Sequence, residues 1–369
     1  MTTWRECKKI LCIRLDNMGD LLMSCPAITA LKETFGCSIS ILTSSMAKGI
    51  APYIPAVDET LVWDAPWVKG ASDPNAGSFG RTVEIIKAKQ FDAAVIFTVF
   101  SQNPLPIALM ATLAGIPFRL AYCRENPYRL LSHWEPDEEP YNLLRHQVRR
   151  DLDLVRSVGA RAVDERIHLQ LTLDNQQQVK TKLQTTGLNP RTPWLIMHPG
   201  VSEQKRIYPE ALWIDAGKKI INKLGYQIIL TGAAAERELT EHIQKGIGKK
   251  AFSIAGLLSI EELITLVRLS PLMISVNTGP VHLAAAVQTK VIVLYALTNP
   301  QHSPWKAIGK LLPFSVPKEL QSKNEVLRFV HNKYYSMKNL SPSPEDIYQA
   351  TRQLLIDKKE PPVEELVLG

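Results

Sequence analysis

The chain has 369 residues, a length that suits two domains better than one. Its 45% apolar content is ordinary for a globular protein, and no uncharged apolar run reaches the eighteen residues of a membrane span. The net charge of +7 suits an acidic partner or a membrane surface but is shared by many plain enzymes, while five cysteines without a Cys-x-x-Cys pair argue against a disulfide frame or zinc site and for reduced thiols in a cytoplasm.

The opening "MTTWRECKK" has no signal-peptide pattern and leads into the apolar run Ile10–Leu15, the first candidate strand. That run ends in Asp16-Asn17-Met18-Gly19-Asp20 and passes at once into a helix whose Leu21, Cys25, Ile28, Leu31 and Phe35 recur near the 3.6 period. Pro26 either kinks this helix or marks a later start capped by Ser24. Asp20 has two readings, a helix cap worth about 1 kcal/mol or a functional carboxylate delivered by a strand end. Further strands are expected at Ser38–Thr43, Thr60–Trp63 and Ala93–Thr98, and "PLPIALMATLAGIPF" reads as a core helix.

In "RLAYCRENPYRLLSHW", Arg119, Arg124, Arg129 and His133 alternate with Tyr122, Tyr128 and Trp134. Such a mixture suits an anionic glycolipid at an interface, or is a solvated loop with packed aromatics. "RRDLDLVRSVG" carries an Asp-x-Asp at Asp151 and Asp153, but the segment reads as helix, so the carboxylates diverge and the motif is structural. The polar stretch "TLDNQQQVKTKLQTTGLNPRTP" follows, and the boundary between two similar α/β domains is placed near Pro190, giving 1–190 and 191–369.

The second half repeats the strand–helix alternation, with strands expected at Trp194–His198, Gln227–Thr231, Ala251–Ile254, Leu272–Val276 and Val291–Tyr295. "HPGVSEQKRIYPE" places Gly200, Ser202, Lys205 and Arg206 after a strand, where two cations can neutralise a diphosphate or be plain surface charge. Thr231-Gly232 ends the next strand with small residues that admit a nucleotide or simply pack. In "VNTGPVHLAAA", Asn277, Thr278 and Gly279 form a strand-to-helix turn with free backbone N–H groups, and His282 lies one turn on. The plain alternative is an ordinary turn with a satisfied core histidine. Ser343 caps a last helix with Pro344 in its first turn, and "DKKEPPVEELVLG" is expected to be loose. No strand-linked Gly-x-Gly-x-x-Gly, no P-loop and no convincing metal spacing occurs, which argues against a dinucleotide, a P-loop nucleotide and a zinc site. Neither a cofactor nor nucleic acid is expected.

Taken in order, "RLDNMGDLLMSCPAITALK", "RHQVRRDLDLVRSVGA", "HPGVSEQKRIYPE", "LTGAAAERELTEHI" and "AGLLSIEELITLVRLSPLMISVNTGPVHLAAAVQTKVIVLY" resemble glycosyltransferase family 9, the ADP-heptose:lipopolysaccharide heptosyltransferases. The resemblance spans most of residues 10–305. It implies a GT-B fold, two Rossmann-like domains facing across a cleft, with the acceptor on the first and the nucleotide-sugar on the second. It implies inverting, metal-independent transfer of a heptose from ADP-heptose, or another nucleotide-sugar, to an acidic glycolipid. The cysteine usage and the basic–aromatic stretch add the expectation of a cytoplasmic protein with peripheral contact at the inner membrane face. Carried over by residue, Asp20 is similar to the family's catalytic base. Thr278, Gly279 and His282 are similar to its donor-phosphate contacts, and Lys205 or Arg206 to its donor-binding cation. The chain departs from the family at Asn277 and Asn299, where aspartate is usual, and at Ala296, where glycine is usual. These departures bear on the donor. A GT-B transferase with another donor or acceptor, or an inactive nucleotide-sugar-binding homologue, is the alternative.

Overall fold

Strand β1 (Lys9–Arg14) is buried from its second residue on, because Ile10, Leu11, Cys12 and Ile13 fill both faces of a parallel sheet. A computed structural model describes the chain over residues 3–68, 76–171, 175–335, 341–363 and 365–366. By contacts it divides into two compact units, 1–170 and 171–366.

In the first unit β1 is followed by α1 (Met18–Phe35), β2 (Ser38–Thr43), β3 (Glu59–Val62), α2 (Ala76–Lys89), β4 (Ala93–Ile96), α3 (Leu105–Leu113), β5 (Phe118–Cys123), β6 (His133–Pro136) and α4 (Gln147–Arg156). Its six strands are all parallel in the order β3-β2-β1-β4-β5-β6. Helix α1 runs unbroken through Pro26, so Ser24 is not a cap, and it buries each of the five apolar residues that the periodicity predicts. All five cysteines are buried free thiols.

The second unit comprises α5 (Asn175–Thr185), β7 (Trp194–His198), α6 (Glu210–Leu224), β8 (Gln227–Leu230), α7 (Arg237–Ile247), β9 (Ala251–Ser253), α8 (Ile260–Leu269), β10 (Leu272–Val276), α9 (Gly279–Ala286), β11 (Lys290–Ala296), β12 (Gly309–Phe314), α10 (Glu325–Tyr334) and α11 (Pro344–Leu355). Its parallel sheet has the order β12-β11-β10-β7-β8-β9, the same winding as the first. Alternate residues fill opposite faces: Leu195, Met197, Ile274 and Val276 pack on one side, Ile196, Met273, Val291 and Val293 on the other. The expected boundary near Pro190 falls inside this unit, because Val179 and Leu183 of α5 pack into its core.

Three strands escape the hydrophobic pattern. β5 and β6 lie where the basic–aromatic stretch is read, and β12 carries Lys310 and Pro313 at a sheet edge. The tail is not loose throughout. Pro362 bridges antiparallel to Ile308, Val363 donates to the Ala307 carbonyl at 2.8 Å, and its side chain is buried. Residues 364 and 367–369 lie outside the described residues. Ser343 accepts the Asp346 N–H at 3.2 Å, and Pro344 opens α11 as expected.

Each sheet reverses its winding direction once, between β1 and β4 and between β7 and β10. Ligands of open parallel sheets bind beyond the strand carboxyl ends at such a reversal. Asp20 follows β1, and the candidate donor residues Gly200 to Arg206 and Asn277 to His282 follow β7 and β10, whereas Thr231 and Gly232 follow β8, one strand further along.

Candidate active site

Arg14 ends β1 with its side chain wholly buried, and the chain then returns two carboxylates to it. Its Nη2 donates to Asp20 Oδ1 at 3.3 Å. Its Nε lies 3.0 Å from Asp16 Oδ2, close enough to pair but out of line for a hydrogen bond, and Nε and Nη1 have no hydrogen-bond partner. Gln102, beyond the end of β4, donates to Asp16 Oδ1 at 2.5 Å. Asn17 is the helix cap, and Asp20 accepts the Asn17 N–H at 3.2 Å from inside the first turn. One oxygen of the Asp20 carboxylate thus faces Arg14 and the other serves the helix cap. Gly19 sits within that helical turn, not in a loop before it.

A third carboxylate backs this group. Asp151 of α4 is buried and accepts from Ser24 Oγ at 2.7 Å and Gln147 Nε2 at 2.8 Å. Burial pushes its pKa up to about 6, against the lowering pull of Arg14, Ser24, Arg150 and Gln147. Burial likewise raises Asp16 against the pull of Arg14. Burial lowers the Arg14 pKa, but Asp16, Asp20 and Asp151 more than offset this and raise it. Asp153, the other half of the Asp-x-Asp, pairs instead with Arg145 at 3.1 Å and with Arg156, so the carboxylates diverge as the helical reading requires. The sequence reading missed Arg14, Asp16 and Asp151 as a cluster. An arginine ending an apolar strand is the one signal that points to it.

The three candidate acceptor arginines are not brought together. Arg119 is the second residue of β5 and spends its guanidinium on the carbonyls of Ile116, Pro117, Leu130 and Arg129. Arg129 lies in the connection from β5 to β6, where its carbonyl meets Arg119, so both lie at the amino edge of the sheet, the edge opposite the turn after β1. Arg119 and Arg129 are thus grouped at one edge of the sheet and Arg124 at the other. Arg124 follows the carboxyl end of β5, donates to the Phe100 carbonyl at 3.0 Å and stacks 5.6 Å over the exposed Tyr141 ring.

In the second unit, Arg206 joins two strand ends. Its Nη1 donates to the Asn277 carbonyl at 2.8 Å, while Nη2 lies 3.1 Å from Glu203 Oε2. Its Nε is buried without a hydrogen-bond partner. Lys205 approaches the same Glu203 oxygen at 3.3 Å. Thr278 caps α9 in extended conformation, with its Oγ1 buried and unbonded. Gly279 opens the helix, Pro280 follows, and His282 is buried on the first turn.

Asn277 clasps the neighbouring strand. Its Oδ1 accepts the Ala296 N–H, its Nδ2 donates to the Ala296 carbonyl, both at 3.0 Å, and Nδ2 also reaches Thr298 Oγ1 at 3.2 Å. Thr231 is turned into the core, where its Oγ1 meets His198 Nδ1 at 2.9 Å. Burial holds that histidine down at about 4. Gly200 and Gly232 make room for Glu236, whose carboxylate occupies the space a Cβ at 200 would need and accepts the Ala233 N–H at 2.7 Å. Ser202 is exposed. Among the described residues no group of three or more His, Cys, Asp or Glu side chains is arranged to hold a metal ion, and no helix is long and apolar enough to cross a membrane.

A family model described as Glycosyltransferase family 9 (heptosyltransferase) matches residues 80–326. The chain is 26% identical over 309 residues to lipooligosaccharide heptosyltransferase 2 of Haemophilus influenzae, covering 80% of this chain and 85% of that one. It is 24% identical over 356 residues to lipopolysaccharide heptosyltransferase 3 of Escherichia coli, covering 91% and 95%. Its fold is similar to the crystal structure of a family 9 glycosyltransferase from Veillonella parvula, with a TM-score of 0.77 at 16% identity over 97% of this chain and 99% of that one. It is also similar to E. coli ADP-heptose lipopolysaccharide heptosyltransferase II, with a TM-score of 0.70 at 18% identity over 95% and 99%.

Proposed function

The chain belongs to glycosyltransferase family 9, a GT-B enzyme family of heptosyltransferases, and from that premise we propose that it moves a heptose from ADP-heptose to a hydroxyl of an acidic lipopolysaccharide-core acceptor. The transfer inverts the anomeric carbon and uses no metal. One observation carries the donor half of this reading. Two buried polar atoms, Arg206 Nε and Thr278 Oγ1, lack partners within the protein, on residues that meet at one helix N-terminus. A buried polar group left unbonded costs about 1–3 kcal/mol, and a cation beside free helix N–H groups suits a diphosphate. E. coli heptosyltransferase structures with ADP and with ADP-2-deoxy-2-fluoro heptose support the nucleotide-sugar class.

In the proposed step the acceptor oxygen bonds to the anomeric carbon as the bond to the diphosphate breaks, and the electron pair leaves on ADP. Asp20 takes the hydroxyl proton. Free aspartate is a weak base, with a pKa near 3.9, but the hydroxyl becomes acidic as its bond to the sugar forms, so the proton moves late. The N-terminus of α9, Arg206 and Lys205 take up the charge leaving on the diphosphate, the role a metal would otherwise fill. On the acceptor side, Arg124 over Tyr141 supports contact with an anionic sugar and with a membrane surface at its periphery.

The departures at Asn277 and Ala296 do not favour a different donor, because the two residues hold each other. Mixing the protein with ADP-heptose and lipopolysaccharide core should release ADP. No release with any core acceptor, together with no thermal shift on adding ADP, would overturn the proposal.

A further inference from the structure

We propose that Glu203 is an internal counter-ion of the donor site, a carboxylate that holds Lys205 and Arg206 until a nucleoside diphosphate displaces it. One oxygen of Glu203 lies 3.1 Å from Arg206 Nη2 and 3.3 Å from Lys205 Nζ. A single anionic atom thus sits where two cations converge, which is the arrangement a phosphate oxygen would adopt. The inference rests on the reading of Lys205 and Arg206 as donor contacts given above.

The geometry separates what moves from what stays. Arg206 is fixed by Nη1 on the Asn277 carbonyl, a contact independent of Glu203. Release of Glu203 therefore frees Nη2 without releasing the arginine from the turn at Thr278. Lys205 has no such second anchor among the described contacts, so it follows the anion. All three side chains are part-exposed, at 22–29%. Part-exposed ion pairs of this kind are weakened by solvent screening and exchange readily. A diphosphate adds a second charge and reaches the N–H groups of α9, so it outcompetes the carboxylate. An anion with less charge gains less from the exchange. Glu203 thereby raises the charge that a ligand needs before the site accepts it, and keeps two neighbouring cations from repelling each other when no ligand is bound.

The test uses the full chain with ADP and with uncharged adenosine as probes, by calorimetry at low and at high salt. Glu203→Gln keeps the shape and removes the charge. It should tighten ADP binding about threefold to tenfold at low salt, the range two weak pairs and one removed repulsion allow. Adenosine affinity should not change, and the gain should shrink with salt. Glu203→Ala should reproduce the gain, which separates charge from shape. Unchanged or weaker ADP binding in both variants, while Arg206→Gln weakens it, would show that Glu203 merely orients the cations, and the inference falls while the donor site stands. ADP binding indifferent to Arg206→Gln and Lys205→Gln would remove the donor site and this inference together.

Discussion

Asn277 and Ala296 hold the ends of two adjacent strands together, the side-chain amide of one bonding both the N–H and the carbonyl of the other. A carboxylate at this position could accept from the N–H but could not donate to the carbonyl. Asn277→Asp should therefore destabilise the second unit by about 1–3 kcal/mol, the cost of an acceptor left unbonded and faced by like charge. Urea unfolding measures it. An unchanged midpoint would mean that the clasp contributes nothing.

Thr278 gives a prediction in which stability and function move apart. Its buried Oγ1 has no partner within the protein, so Thr278→Val should raise stability by about 1 kcal/mol. The same change should weaken ADP binding, because the hydroxyl is available to a phosphate. Calorimetry and thermal unfolding on one preparation read both. A variant that binds ADP as tightly as the wild type would place the diphosphate elsewhere.

Arg14 compensates two part-buried carboxylates, Asp16 and Asp20, and one buried one, Asp151. Arg14→Met removes the cation that Asp16 and Asp20 pair with and one of the two that act on Asp151, and should cost about 3–5 kcal/mol at neutral pH. The loss should diminish as pH falls, because Asp16 and Asp151 then neutralise in the folded chain. Unfolding of both proteins across a pH series decides the matter, and a loss independent of pH would mean that packing, not charge, is what Arg14 supplies.

Asp151 and His198 make stability respond to pH in opposite senses. Asp151 is raised to about 6, above its unfolded value near 3.9. Between these values the folded chain keeps a proton that the unfolded chain has lost, so this contribution falls as pH rises. His198 is lowered to about 4, below its unfolded value near 6.5. There the unfolded chain binds the extra proton, so stability from this group rises with pH through the window and is lost as pH falls. The two slopes oppose each other over most of the range. Asp151→Asn should make stability rise more steeply with pH than in the wild type, and His198→Gln should do the reverse. Parallel profiles for all three proteins would contradict both assignments.

Much of the fold was legible because strands buried on both faces, such as Leu272–Val276, read as short apolar runs and caps such as Ser343 act locally. β12 was hidden because an edge strand tolerates Lys310 and Pro313. That Arg119 and Arg129 share one edge of the sheet while Arg124 lies at the other was not legible, because composition does not say at which end of a parallel sheet a residue falls. Asp20 could be singled out from its position after a strand. Its surroundings could not, since Ser24 and Asp151 meet across 127 positions and Arg206 and Asn277 across 71. Such pairings depend on how the helices pack, which no local pattern encodes.

The role of Asp20 as base is tested most directly by the turnover of Asp20→Asn with ADP-heptose and lipopolysaccharide core. Asparagine keeps the shape and the acceptor for the Asn17 N–H, but it cannot take up a proton at neutral pH. Loss of a general base should lower kcat by about 10²–10⁴-fold, with ADP affinity and folding nearly unchanged. Turnover close to the wild-type rate would contradict the assignment and leave Asp20 a structural residue that pairs with Arg14 and accepts from the Asn17 cap.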